Sequence, residues 1–218
     1  MRSFAALAVG LVAPPRCAVC TRPGDPERPL CRRCDAELEA APPQAAFVPG
    51  VDHALAAAPY AGVARGLVGA LKFRRLLPLA DRAAEAMLAG FGGVPEGALV
   101  PVPAAPLRRR VRGFDPAEEI AIALARRGGL GPAPCLRRRQ GPRQVGRPRA
   151  ERLADPPRVM LRAAPPTEVV LVDDVITTGA TLAACAEALR EGGSERIVAL
   201  AFAHSPSRFG TPSRQAYS

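Results

Sequence analysis

The sequence predicts an α/β protein, a doubly wound parallel sheet with a small N-terminal zinc module. Three observations carry that expectation. Val169, Val170, Leu171 and Val172 follow one another without polar alternation, as in a strand buried on both faces of a parallel sheet. Strand-like segments near residues 99, 135 and 197 alternate with helical stretches, the pattern of stacked βαβ units. Cys17, Cys20, Cys31 and Cys34 stand near the N-terminus as two C-x2-C pairs.

The chain of 218 residues suits one main domain with a small appendage. The expected division is an N-terminal helix and cysteine module over 1–45, the main domain over 50–205 and a flexible tail over 206–218. Met1 to Ala13 pairs an arginine with an apolar run, as a secretory signal does. Phe4, Leu7 and Leu11 nevertheless fall at helical spacing and no small-x-small cleavage site follows, so a helix is the expectation. The four cysteines match tetrahedral zinc, each pair gripping one edge of the ion. Their loop, TRPGDPERPL, is turn chemistry with too little apolar content to fold unstapled. Two disulfides are the alternative and would require an oxidising compartment. Cys135 and Cys185 read as lone thiols.

Asp35 to Ala41 reads as a short helix, and the proline-rich APPQAAFVPG that follows as a linker. His53 to Tyr60 is weakly strand-like. Ala61 to Phe73 is helical, with Val63, Leu67, Ala70 and Leu71 on one side and Lys72 near its end. Lys72 is the only lysine among 30 basic residues, which suggests a position that wants a compact, hydrated ammonium group. A helix over Leu79 to Phe91 precedes a strand over Leu99 to Pro103, and AAPLRRRVRGF then reads as an arginine-rich loop. Its guanidinium forks beside Gly113 suit a pyrophosphate. Asp115 and Pro116 form an N-cap and N1 pair for a helix to about Arg127. Cys135 to Arg152 is basic and broken by glycine and proline, a hood near the site. Ile197 to Ala203 is a final buried strand. His53 and His204 stand alone and read as structural.

The functional signal lies at Val169 to Thr181, VVLVDDVITTGAT. Asp173 and Asp174 come at the carboxyl end of the strand. Thr177, Thr178, Gly179, Ala180 and Thr181 make a small hydroxyl-rich turn before a helix from Leu182 to Glu191. Free N–H groups and the positive end of the helix dipole make that turn a phosphate site. The carboxylates would repel the same phosphate, so they serve another part of the ligand: the vicinal hydroxyls of a ribose, or a divalent cation. A ribose 5-phosphate has both parts.

Charge is uneven along the chain. Of the net +10, +9 falls between Leu107 and Arg152, where thirteen arginines face four carboxylates. Such a patch attracts polyphosphate or nucleic acid. The nucleic-acid candidates are Arg108, Arg109, Arg110, Arg137, Arg138, Arg139 and Arg143. Aromatic residues are 4% with no tryptophan, so contact with the backbone of single-stranded DNA rather than base stacking is the expected mode. No apolar run reaches the roughly 18 residues of a membrane span. A cytoplasmic protein is the expectation.

The order of motifs resembles the ComF family of phosphoribosyltransferase-like proteins, linked to natural competence and DNA uptake. The residues that carry the resemblance are the cysteine pairs, then Tyr60, Gly62, Leu67, Lys72 and Phe73, then PVP at Pro101 to Pro103, RGF at Arg112 to Phe114, Arg139 with Gln144, and LVDDVITTGAT. Two departures stand out: Asp115 and Pro116 replace an Asn-Gln pair, and Arg152 with Asp155 replaces Arg-x-x-Asn. The resemblance implies a type I phosphoribosyltransferase-like fold that binds phosphoribosyl pyrophosphate (PRPP) with magnesium. On that basis Asp173 and Asp174 hold the ribose hydroxyls, and Thr177, Thr178, Gly179, Ala180 and Thr181 the 5-phosphate. Lys72, Pro101, Val102, Pro103 and Arg112 would surround the pyrophosphate. The reaction implied is displacement of pyrophosphate by an unidentified acceptor. The family also implies competence-machinery partners. The alternative is a non-catalytic accessory that binds single-stranded DNA through the basic segment, with an affinity that falls steeply with salt. A glutamine-dependent amidotransferase is disfavoured, since no N-terminal nucleophilic cysteine is present.

Overall fold

The computed structural model describes residues 15–93, 95–128, 131–138 and 158–205. The expected N-terminal helix, Arg139, Arg143, most of the hood and the tail lie outside the described residues. The elements in order are α1 (Arg32–Glu39), β1 (Gln44–Ala46), β2 (His53–Pro59), α2 (Gly62–Arg74), α3 (Pro78–Phe91), β3 (Ala98–Pro101), α4 (Pro106–Arg112), α5 (Pro116–Gly128), β4 (Leu136–Arg138), β5 (Val159–Leu161), β6 (Glu168–Ile176), α6 (Ala180–Glu191) and β7 (Arg196–His204).

The main sheet has the order β1-β2-β7-β6-β3, parallel throughout except for the antiparallel β1–β2 edge. The unbroken apolar run of β6 has its explanation in this position. Val170 and Val172 pack with α2, α3 and α5 on one face, together with Leu200 and Phe202 of β7. Val169 and Leu171 pack on the other with Leu182, Cys185 and Leu189 of α6. Both faces are therefore dry, and every residue of the run contributes to a core.

The cysteine module is built onto the first of these faces. Its Cys17, Leu30, Cys34 and Leu38 are buried in the same cluster as Leu67 and Leu71 of α2. Arg74 donates to the Ala18 carbonyl at 2.7 Å, and the Val63 N–H at the start of α2 donates to Glu37 at 3.3 Å. Gly66 leaves no room for a side chain, since an added Cβ would meet Val19 Cγ1 at 2.5 Å.

Several expectations need correction. The arginine-rich stretch after β3 is a helix, α4, not a loop. Pro106 starts it with a fixed φ, and Gly113 stops it at φ +77°, the usual asymmetry of helix ends. The strand near 135 is not part of the main sheet; β4 pairs antiparallel with β5. Pro132 and Pro134 precede it and cannot donate to a ladder, so a single bridge between Leu99 and Pro132 is all that touches the sheet edge. The linker contains β1, and β2, weak in sequence because it is mostly alanine, lies inside the sheet. Strand β6 runs on to Ile176, so Asp173 and Asp174 lie within it. They still end the shared ladder on one side, where β3 stops opposite Val172. Among the described residues no helix is long and apolar enough to cross a membrane.

Candidate ligand cleft and metal centre

The cleft opens where β3 stops and β6 continues, at the carboxyl ends of the parallel strands, the place where ligands sit in open α/β sheets. It measures about 250 Å3. That is below the ~300–1,000 Å3 of drug-sized sites, and suits a sugar phosphate better than a dinucleotide. Its walls bring together Lys72, Val102, Pro103, Arg108, Arg112, Arg138, Asp173, Asp174, Thr177 and Thr181 from six separate stretches of chain.

The two adjacent carboxylates of β6 both line the cleft, and their carboxyl groups lie close enough to interact. Helix α2 delivers Lys72 to Asp174. The Lys72 ammonium makes an ion pair with Asp174 Oδ2, with side chains only 20% and 12% exposed. The pair satisfies charge but not hydrogen-bond geometry, and Oδ2 is left without a hydrogen-bond donor. Asp173 lies within the electrostatic reach of Cys185 and Arg138 as well as of Asp174. Burial first, and the Asp174 charge second, hold its carboxyl well above the usual carboxylate range, while Lys72 acts in the opposite sense. Its Oδ1 accepts the Asp174 N–H at 2.8 Å.

The turn after β6 is made possible by Gly179, at φ +73°. It is the N-cap of α6, and an added Cβ would stand 3.2 Å from Val48 Cγ2. Helix α6 thus starts at Ala180, two residues earlier than the sequence suggests, with Ala180 and Thr181 in its first turn. Thr177 and Thr181 line the cleft, while Thr178 caps the turn by accepting the Ala180 N–H at 3.4 Å. Pro101 is the buried end of β3 and acts through the turn it starts rather than by lining the cleft.

The basic residues separate into groups. Arg108, Arg112 and Arg138 line the cleft. Arg109 turns away to Glu118 at 3.1 Å, and Arg110 and Arg137 are exposed outside the cleft. Two reciprocal cation–π contacts clasp the ends of α2 and α4: Arg112 lies over Phe73 at 5.3 Å, and Arg75 over Phe114 at 5.7 Å.

Six cleft residues went unassigned to the site in the sequence: Tyr60, Ala104, Ala105, Asp115, Pro116 and Val175. Asp115 was legible only as a helix cap. It is that, with Oδ1 accepting the Ala117 N–H at 3.2 Å, but Oδ2 also accepts the Ala104 N–H at 2.7 Å. One buried side chain therefore fixes both the start of α5 and the turn after β3. Burial raises its carboxyl above the ordinary range against those two N–H groups. Tyr60 follows β2 and is held by its N–H to the His204 carbonyl at 2.7 Å.

A larger groove, about 810 Å3, lies between the cysteine module and α3. Its carboxylates are held in ion pairs, Asp35 and Glu39 with Arg82, and Asp81 and Glu85 with Arg127. It shares no lining residue with the cleft and has the wrong sign for an anionic ligand.

The cysteine module is a second candidate centre. The sulfurs of Cys17, Cys20, Cys31 and Cys34 all lie within 4.8 Å of one another, and those of Cys20 and Cys31 are 3.6 Å apart. All four are free thiols positioned to bind one metal ion. Burial works to raise the Cys17 thiol, but the N–H groups of Cys20, Cys31 and Val19 outweigh it and bring it down to about 6. Burial and the three neighbouring sulfurs push Cys34 far up. Four crowded thiols cannot all ionise unaided, whereas a bound dication lets them do so.

No family model matches the chain, and no curated protein matches it.

Proposed function

We propose that this protein is a type I phosphoribosyltransferase-like, ComF-like protein that binds PRPP with magnesium in the cleft at the ends of β3 and β6. The observation that carries the reading is the convergence of Asp173, Asp174, Thr177 and Thr181 with Lys72 and Arg112 from distant parts of the chain.

The chemistry follows from the side chains. Asp173 and Asp174 accept hydrogen bonds from the ribose hydroxyls, and the N–H groups and hydroxyls at the start of α6 bind the 5-phosphate. Lys72 and Arg112 face the pyrophosphate and stabilise the charge that grows on it as the anomeric C–O bond breaks. Catalysis then rests on positioning and charge stabilisation rather than on a covalent nucleophile. The carboxylates of Asp173 and Asp174 suit a hard cation or hydroxyls. Magnesium, bound with PRPP, would neutralise leaving-group charge. Zinc is the proposed occupant of the four-cysteine centre, a closed and non-catalytic site. Reduced thiolates and zinc suit a cytoplasmic protein.

The test is thermal. Magnesium with PRPP should raise the melting temperature, ribose 5-phosphate should raise it less, and orthophosphate least. An equal response to all three would remove the case for a ribose site.

A second reading is carried by the exposed arginines Arg110 and Arg137 beside the cleft. They suit single-stranded DNA and competence-machinery partners, and the two readings share one basic surface. A binding constant for oligo-dT that does not fall with salt would contradict this second reading.

A further inference from the structure

The proposed function leaves Arg108 and Arg138 without a task. They come from separate elements, α4 and β4, and both line the cleft. Among the described residues neither has a carboxylate at ion-pair distance, whereas Arg109 beside them is paired with Glu118. Burial first, and then the charge of Arg108, make the Arg138 guanidinium less basic than usual. Two guanidinium groups that line one cleft repel, and an anionic ligand offsets that repulsion.

Their side of the cleft matters. Lys72 comes from α2, which packs on one face of the sheet, while Arg138 belongs to β4, whose Leu136 packs with Cys185 of α6 on the other. Resting on the ribose-phosphate reading, the leaving pyrophosphate sits with Lys72 and Arg112. In a displacement at the anomeric carbon the acceptor approaches opposite the leaving group, which brings it to the β4 side. We infer that Arg108 and Arg138 form an acceptor subsite for a small nucleophile that carries a carboxylate or phosphate group. The acceptor's lone pair forms the new bond to the anomeric carbon, the C–O bonding electrons leave with pyrophosphate, and the acceptor's proton passes to water. Two guanidinium forks bind the oxyanion and aim the nucleophile.

The test titrates benzoate, phenyl phosphate and uncharged benzamide into the full chain, with and without magnesium–PRPP, for the native protein, Arg108→Gln and Arg138→Gln. Arg108 is exposed, so its substitution leaves the fold intact. One or both oxyanion probes should bind and benzamide should not, and the tighter of the two identifies a carboxylate or a phosphate acceptor. Each substitution should weaken the oxyanion about tenfold or more, while PRPP affinity changes less than about threefold. The inference is overturned if benzamide binds as well as benzoate, or if both variants keep the oxyanion. It is also overturned if PRPP affinity falls in step, which would make the pair a pyrophosphate site, or if only oligo-dT binding is lost. Failure of PRPP to bind the native protein sinks the ribose-phosphate reading and the acceptor role with it. The probes without PRPP would then still decide whether the pair is an anion site.

Discussion

Lys72, the only lysine of the chain, makes an ion pair with Asp174 of β6, and both side chains are largely buried. The pair joins α2, and through it the cysteine module, to the strand that leads into the Gly179 turn. Lys72→Met leaves a buried carboxylate uncompensated. The expected cost is about 1–3 kcal/mol, below that of a fully buried pair because some solvent reaches both groups. Lys72→Met with Asp174→Asn should recover part of the loss, since neither charge is then stranded. A double-mutant cycle by urea unfolding measures the coupling; strictly additive losses would show the contact to be incidental.

Asp173 makes stability depend on pH. Its folded-state pKa is raised by burial and by Asp174, so the folded protein binds this proton more tightly than the unfolded chain does. The stability that it contributes is present below the ordinary value of 3.8 and is lost as pH rises through the folded pKa. Asp173→Asn should therefore raise the melting temperature relative to native at pH 7 to 8, with the gain vanishing near pH 3.5. A difference that is constant across this range would argue against a raised carboxyl.

Asp115 stands where the family resemblance leads one to expect an asparagine, and it accepts two N–H groups. Asp115→Asn keeps one carbonyl acceptor and loses the other, whereas Asp115→Ala loses both and strips the cap from α5. The expected losses are about 1 kcal/mol for asparagine and about 2 for alanine, by thermal or chemical unfolding. Weakened ligand binding should accompany both, since the Ala104 N–H lies in the turn beside the cleft. Equal stability of the two variants would show that the acceptor that asparagine keeps contributes nothing, against this account.

The metal centre supports α2 through Val19 against Gly66 and Arg74 to Ala18. Elemental analysis should find one zinc ion per chain, and a strong chelator or Cys20→Ser should lower the melting temperature by several degrees. PRPP affinity should fall as well, because α2 carries Lys72. A metal-free protein that melts and binds like the native one would contradict this.

Much of this arrangement could be read in the sequence, and the unread part has physical causes. The β6 run and the cysteine pairs are dense local signals, each with one dominant interpretation. Strand β2 was faint because its small side chains suit a strand packed closely between helices, yet alanine favours no strand. Helix α4 was hidden because its arginines resemble a loop, although Pro106 and Gly113 mark its ends. The meeting of Arg108 and Arg138 was beyond reach, because only tertiary folding brings α4 and β4 to one cleft.

The central claim is a working ribose-phosphate site. Calorimetric titration of magnesium–PRPP into the zinc-loaded native protein, beside the Asp173→Asn, Asp174→Asn double variant, tests it most directly. The account predicts saturable binding to the native protein at millimolar concentration or below, and its loss in the variant. Binding to neither protein, or equal binding to both, would contradict it.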